Sequence, residues 1–370
     1  VATDVDTTPG PIEAEMIALC SSVCEPDAAM AARAWARLDS LTKPPRSLGK
    51  LEEIAVRLAV IQQTVRPESG PGAIVLVAGD HGVVAEGVSA WPSEVTLQMV
   101  ANIAAGGAAI NQLAEYAGAR LVLVDVGVAG DTSGCAAVVQ AKVRPGTRNL
   151  ATEAAMTREE AAAAFMVGAR IASELAADGI RVIGTGEMGI GNSTAAAALV
   201  AGYTDVPVKR VVGRGTGIDD AALARKKAVI ESALRLHRPS TSDPFATLAN
   251  LGGFEIAAMA GLFVGGAAAG VCVVSDGMIS ASAALASARI CPACIPYVLP
   301  SHLSLEPGHH VALVALGLEP FVELDMRLGE GTGAAIAMSI IGSACVVING
   351  MATFAEAGVA EGGHTEAVDL

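Results

Sequence analysis

From residue 72 onward, short β-branched apolar runs alternate with longer alanine-rich stretches, and each run is closed by glycine or a small polar residue. The runs at 73–78, 120–126, 181–184, 271–275 and 295–299 are predicted strands, with 210–212 as a weaker sixth. They are apolar at nearly every position instead of every second one. That suits strands buried on both faces, which requires parallel pairing with helices on each side. The first 65 residues differ: positions 29–38 and 51–64 carry apolar residues at spacings of three and four, the helical period. Pro44 and Pro45 break any helix between them. The pattern predicts a helical N-terminal segment followed by a doubly wound, three-layer α/β/α (Rossmann-like) domain.

Composition sharpens this picture. Hydrophobic residues make up 52% of the 370 but aromatics only 3%, so the apolar content is Ala, Val, Leu and Ile, the material of close-packed helices and buried strands. Mean hydropathy is +0.51, and two stretches, 256–275 and 333–349, approach the ~20 residues of a bilayer crossing. Both are mostly Ala and Gly, lack a Trp/Tyr belt, and are flanked by Glu255, Asp276 and Glu330 instead of Lys or Arg, so core helices are expected and no membrane partner. The N-terminus is acidic and lacks a signal pattern, which points to the cytoplasm. With 24 basic and 38 acidic residues the formal charge is −14, which gives no overall attraction for nucleic acid. An anionic ligand therefore needs a local positive site. Seven scattered cysteines suit reduced thiols, and Cys291 and Cys294 lack the second half of a zinc site.

Ligands of parallel sheets bind outside the carboxyl ends of the strands, so the loops there carry the candidate chemistry. In GEMGIGNST (186–194), Gly189 and Gly191 let the backbone approach a ligand, and Asn192, Ser193 and Thr194 stand at a predicted helix start that favours phosphate; a purely structural glycine turn is the alternative. The spacing is not the G-x-G-x-x-G dinucleotide fingerprint, and Leu51 after Gly49-Lys50 excludes a Walker A loop. A second loop, Gly213, Arg214 and Gly215, opens a helix bearing Lys226 and Lys227; Arg214 suits bidentate pairing with phosphate, whereas the lysines also fit an ordinary solvated face. Glu330, between Gly329 and Gly331, is either a helix cap or a general base whose pKa burial raises and the helix dipole opposes. Glu187 is a second carboxylate in a like setting. His81, His302, His309 and His310 fall in the same loops, and without a G-x-S-x-G elbow or an H-x-x-x-H they are expected to hold loops together. No metal and no cofactor are called for.

Taken together, TKPPRSLGKLE (42–52), GDHGVVAEGVS (79–89), GEMGIGNSTAAAA (186–198), GRGTGID (213–219), LGGFEIAAMAG (251–261), SDGMISASAAL (275–285), SHLSLEPGH (301–309) and MRLGEGTGAA (326–335) resemble, in order, the motif series of the nicotinate-nucleotide:dimethylbenzimidazole phosphoribosyltransferase family. The resemblance implies transfer of phosphoribose from nicotinate mononucleotide to dimethylbenzimidazole in cobalamin lower-ligand assembly. It also implies a homodimer, a parallel domain over about 66–334, and a small helical domain from 1–65 plus about 335–370. By the same match Glu330 is the catalytic base, Glu187 the second pocket glutamate and Lys226 the phosphate-site lysine. Ser193 stands where the family usually has Thr. Gly189, Gly191, Asn192, Ser193, Thr194, Gly213, Arg214, Gly215 and Lys226 are expected to hold phosphate and ribose, and Ser89, Trp91, Gln98, Met188 and Leu328 the base. Relatives of this fold activate adenine and phenolic acceptors, so the acceptor stays open; a nucleotide-binding protein without catalysis is the rival.

Overall fold

The computed structural model describes residues 9–215 and 217–360; the ends of the expected helical domain, 1–8 and 361–370, lie outside the described residues. Three helices come first, α1 (Pro11–Ser22), α2 (Ala29–Asp39) and α3 (Lys50–Gln62). The sheet opens with β1 (Gly72–Gly79), followed by α4 (Glu94–Ala104), α5 (Ala109–Tyr116), β2 (Ala119–Gly127) and β3 (Val138–Gln140). After α6 (Arg158–Ala177) come β4 (Val182–Met188), α7 (Asn192–Thr204), α8 (Asp220–His237), α9 (Pro244–Leu251) and α10 (Phe254–Ala268). The chain closes with β5 (Cys272–Ser275), α11 (Met278–Ile290), β6 (Val298–Pro300), α12 (Pro307–Leu316), α13 (Thr332–Gly350) and α14 (Phe354–Ala357).

The six strands are all parallel, in the order β3-β2-β1-β4-β5-β6. Chain direction across the sheet therefore reverses between β1 and β4, and the crevice beyond their carboxyl ends is where such sheets take ligands. Val77 pairs with Glu187 and Ala78 with Met188 at that point.

Three details of the strand prediction are corrected. Residues 210–212 are not a strand: a short 3-10 turn (Val208–Arg210) follows Pro207, and Val211 and Val212 are buried off the sheet. Most of 295–299 is also 3-10 backbone (Pro292–Tyr297), because Pro292 and Pro296 lack amide donors for a ladder, and the strand is confined to Val298–Pro300. The edge strand β3 has no counterpart in the sequence pattern; it is three residues long and two of them are exposed, so it carries no buried apolar run.

Successive residues of β4 address opposite layers. A side chain at Gly184 would meet Ala334 and Met338 of α13, whereas Thr185 hydrogen bonds to Ser280 of α11. The α11 face also holds α10, on which α6 packs so closely that a Cβ at Gly168 or Gly261 would overlap the partner helix backbone. Alanine and glycine wealth is thus spent on close helix approach. Among the described residues α13 alone is long and apolar enough to cross a membrane; half of it is buried, against β1, β4 and β5 and against α3 and α5. The other tempting stretch resolves into α10 and β5, with Phe254–Ala267 of the helix buried throughout.

The end of α2 and the segment after it meet the end of α13. Thr42 donates to the Ala352 carbonyl at 3.1 Å and Arg37 Nε to the Ile348 carbonyl at 3.0 Å. In the 42–50 loop Lys43 is buried against Glu52, Nζ to Oε2 2.9 Å, while Glu52 Oε1 accepts from the Leu48 amide at 2.9 Å.

Candidate active site

Two buried carboxylates meet at the carboxyl end of β4. Glu187 lies on the strand itself, one residue from its end, and not in the loop where the sequence placed it. Its Oε2 accepts from the Asn192 side-chain amide at the start of α7. Burial first, then the negative charges of Asp276 and Glu255, push the Glu187 carboxyl up to about 8, against the opposing Asn192 hydrogen bond. Glu187 is therefore largely protonated at neutral pH and able to donate.

Glu330 sits just before α13. Gly329 (φ 84°), Glu330 (φ 60°) and Gly331 (φ 84°) form a left-handed run, a conformation that costs a residue with a side chain about 1–2 kcal/mol. Glycine elsewhere makes room for this turn: a Cβ at Gly186 would stand 2.8 Å from the Glu330 carbonyl oxygen. A Cβ at Gly329 would likewise collide with Glu187 Oε1, so the Glu330 loop and the Glu187 carboxylate touch. Burial, then the charge of Asp276, raises the Glu330 pKa above the usual carboxylate range. Sequence reasoning weighed capping against general base for Glu330. The cap of α13 is made by another residue: Asp276, beyond β5, accepts from the Gly331 amide (3.1 Å) through Oδ2 and from the Ala334 amide (3.0 Å) through Oδ1.

A cleft beside Glu187 is lined by Glu187, Met278, His302, Arg327, Leu328 and Gly329, the last next to Glu330 in the turn. A second hollow adjoins α7 and is lined by Ser89, Gly189, Gly191, Asn192, Ser193, Arg214, Gly215 and Lys226. Glu306 connects the two, lining the first while its Oε1 accepts from the Gly215 amide at 3.0 Å in the second. Gly191 (φ 96°) caps α7, whose first residues, Asn192 and Ser193, line the hollow, while the Asn192 and Thr194 amides donate to the Gly189 and Gly191 carbonyls at 3.1 and 2.9 Å. Lys226 is 1% exposed and donates to Ser193 Oγ at 2.9 Å. Burial pulls its pKa down to about 8, with Glu306 opposing. An ammonium held by one hydroxyl in a dry corner is a receptor for an anion.

Several expected phosphate contacts differ in detail. Arg214 is turned toward its own loop, donating to the Ile218 carbonyl at 2.9 Å and pairing with Asp220. The Gly215 amide is occupied by Glu306, and Gly213 makes room for that carboxylate. Thr194 is buried with its hydroxyl unpartnered in the first turn of α7.

Of the expected base-pocket residues, Ser89 lines the phosphate-side hollow and Leu328, 57% exposed, lines the carboxylate cleft. Trp91 is 51% exposed and Gln98 is exposed on α4, and neither lines either hollow. Met188 follows Glu187 on β4, so it faces the other layer and is buried in the core.

Three of the four loop histidines make hydrogen bonds of the kind expected. His81 Nε2 pairs with Glu255 Oε1 at 2.6 Å, His302 Nδ1 with Ser301 Oγ at 3.1 Å, and His309 Nδ1 accepts from the Ser304 amide at 2.9 Å; His310 is exposed. Sequence reasoning missed Asp276 and Glu306. Both stand in loops at strand ends, and the strand-end rule alone marked those places.

A phosphoribosyltransferase family profile matches residues 23–359. The chain is 51% identical to a nicotinate-nucleotide–dimethylbenzimidazole phosphoribosyltransferase of Chloroflexus aggregans, over 90% of this chain and 94% of that protein. It is 49% identical to the protein of the same name from Geobacter metallireducens, over 92% and 97%. The crystal structure of CobT from Thermus thermophilus superposes with a TM-score of 0.87 at 47% identity, covering 90% of this chain and all of that one. The left-handed Glu330 turn, the buried Glu187 and the dry lysine corner thus belong to a member of the nicotinate-nucleotide–dimethylbenzimidazole phosphoribosyltransferase family.

Proposed function

We propose that the enzyme moves the 5-phosphoribosyl group of nicotinate mononucleotide to 5,6-dimethylbenzimidazole or a related lower-ligand base, giving α-ribazole 5′-phosphate and nicotinate. The observation that carries this reading is the pairing of two buried, pKa-raised glutamates with an adjoining buried lysine, in a chain half identical to proteins named for that reaction.

The 5′-phosphate enters the hollow beside Lys226, Ser193 and the positive N-terminal end of α7, where the ammonium finds the counter-charge it lacks. That anchorage fixes C1′ at the carboxylate cleft. The C1′–N bond breaks with its electron pair leaving on nicotinate, whose ring nitrogen becomes neutral, so departure needs little acid help. One nitrogen of the incoming base attacks C1′ from the opposite face, which inverts β to α. The other nitrogen loses its proton to Glu330 Oε, whose raised pKa makes it a competent acceptor. Glu187, protonated at neutral pH, donates a hydrogen bond that orients substrate. Ser89 and Leu328 border the two hollows and serve the base; Trp91 and Gln98 would join them only if the segment from 89 to the start of α4 moved, and Met188, on the other layer of β4, supports the site from the core.

The same reading takes the enzyme as a cytoplasmic homodimer. Exposed Leu305, Leu324 and Leu328 beside the cleft support a partner surface, and seven free cysteines support a reducing compartment. Residues 1–65 with 335–370 then form the small helical domain around a transferase domain at 66–334, a division supported by the contacts of Thr42 and Arg37 with the end of α13.

Incubation with nicotinate mononucleotide and dimethylbenzimidazole tests the activity: nicotinate release above a no-enzyme control is expected, and binding without release would favour the non-catalytic rival. A panel of benzimidazole, adenine and phenolic acceptors under the same conditions assigns the base.

A further inference from the structure

We propose that Asp276 is the positioning residue of the reaction, a buried carboxylate clamp that holds the left-handed Gly329–Gly331 turn and so sets Glu330 against the cleft. This rests on the reading of Glu330 as the base.

The clamp reaches across the sheet. Asp276 leaves the end of β5, yet both of its oxygens are spent on the first turn of α13, at Gly331 and Ala334. Both accept, which is how a carboxylate caps a helix N-terminus; burial raises the Asp276 pKa, and His302 and these helix amides oppose that rise. The residue it fixes most directly, Gly331, follows Glu330, and Glu330 is one of the few non-glycine residues with positive φ among the described ones. A strained turn beside a helix end persists only where its surroundings over-determine it.

Asp276 is itself immobilised from three strands. Its amide donates to Ser280 Oγ at 3.1 Å, and its carbonyl accepts from Ser301 Oγ at 3.1 Å. Thr185 of β4 joins Ser280 at 2.5 Å and the Val274 carbonyl at 3.0 Å. His302 closes the remaining side: a Cβ at Gly333 would overlap its ring and stand 2.9 Å from Asp276 Oδ1. The seam ties the ends of β4, β5 and β6 to one helix start, so its rigidity passes to Glu330 through the backbone and not through side-chain contact.

The charges felt by Glu330 are those of Asp276 from β5 and, across to β4, Glu187; His302, Glu306 and Arg327 line the cleft that Gly329, its neighbour in sequence, borders. Removing the Asp276 charge therefore lowers the Glu330 pKa as well as freeing the turn.

The test compares wild type with Asp276→Asn and Asp276→Ala. Wild-type nicotinate release is measured first; its absence would defeat the reading of the function and not the clamp. In Asp276→Asn we expect kcat to fall about 100-fold, with KM for nicotinate mononucleotide nearly unchanged. The acid limb of the kcat profile should move to lower pH. The double variant with Glu330→Gln should be no slower than Glu330→Gln alone, because one residue acts through the other. Losses that multiply, or a wild-type kcat and acid limb, would overturn the proposal. Independently of turnover, exchange of the 331 and 334 amides should quicken about tenfold or more in either variant while the strands stay protected. Unchanged exchange there would also overturn it. Asp276→Asn keeps one acceptor, so the test stands if Asp276→Ala does not fold.

Discussion

Lys43 and Lys226 are both buried, at 7% and 1% exposure, and they are buried for opposite reasons. Lys43, between α2 and α3, meets Glu52 at 2.9 Å, and the second oxygen of that glutamate is taken by the Leu48 amide. Every charge in that corner is answered by the chain itself. Lys226, at the sheet's switch point, has a hydroxyl for a partner and no carboxylate within ion-pair distance among the described residues. At the adjoining cleft Glu187 and Glu330 are acids raised by burial and by neighbouring carboxylates. The helical segment closes its electrostatics on itself, whereas the sheet end leaves them open to be completed by a ligand. Folding alone would not select the second arrangement, which is why it marks the site.

If that contrast holds, removing a charge should cost turnover in one region and stability in the other. The largest effect is expected for Glu330→Gln, which should lower kcat by about 10²–10⁴-fold while nicotinate mononucleotide binding, followed by calorimetry, stays near wild type. An unchanged rate would take the proton-accepting role from Glu330. The matching change in the closed region is Lys43→Met, which leaves the Glu52 carboxylate buried and alone and should destabilise the fold by about 3–5 kcal/mol. Denaturant melts measure this, and the folded fraction should turn over with wild-type kcat. A variant of wild-type stability would mean that this corner is no more closed than the other.

Lys226→Met is the finer probe. Losing a charge-assisted contact to phosphate should raise the Kd for nicotinate mononucleotide about 10–100-fold. Stability without ligand should be unchanged or higher, since an unanswered buried charge has been removed. A fall in stability like that of Lys43→Met would erase the contrast between the two lysines.

How much of this could be read beforehand follows the same division. The glycine-punctuated stretches beside Glu187, ahead of the helix that bears Lys226 and around Glu330 were legible because close backbone approach leaves glycine at fixed places in the sequence. The strands at 73–78 and 120–126 were legible because burial on both faces writes an unbroken apolar run. The short edge strand at 138–140 writes none, and the valines at 211 and 212 write a false one, being buried by packing and not by pairing. Asp276 escaped notice because a single aspartate before glycine looks like any turn. Its partners, Gly331 and Ala334, lie 55 and 58 residues away in sequence, a distance only the fold closes. Glu306 escaped likewise, since the loop it occupies meets residue 215 in space alone.

The smallest effect is also the most direct measure of an open site. Glu187 has a carboxyl pushed up to about 8 in the folded protein, from an ordinary 4.5. The folded chain therefore keeps a proton that the unfolded chain releases, and the stability this gives is complete below about 4.5 and lost as pH rises through 8. Lys226 has the opposite displacement, from 10.5 down to about 8, so its contribution changes only above 8, where stability regained with rising pH is its signature. Between about pH 5.5 and 7.5 the lysine is charged in both states and adds no slope; Glu330, Asp80, Asp276 and His81, all raised, slope the same way as Glu187, while His309, pulled down to about 3 by burial, opposes them below about 6.5. Thermal midpoints of the wild-type protein should decline across that window. In Glu187→Gln the decline should be shallower, and the difference between the two curves is the Glu187 share. Parallel curves for the two proteins would mean that Glu187 is ionised and answered in the folded chain, as Glu52 is, and the sheet end would then be closed like the helical corner.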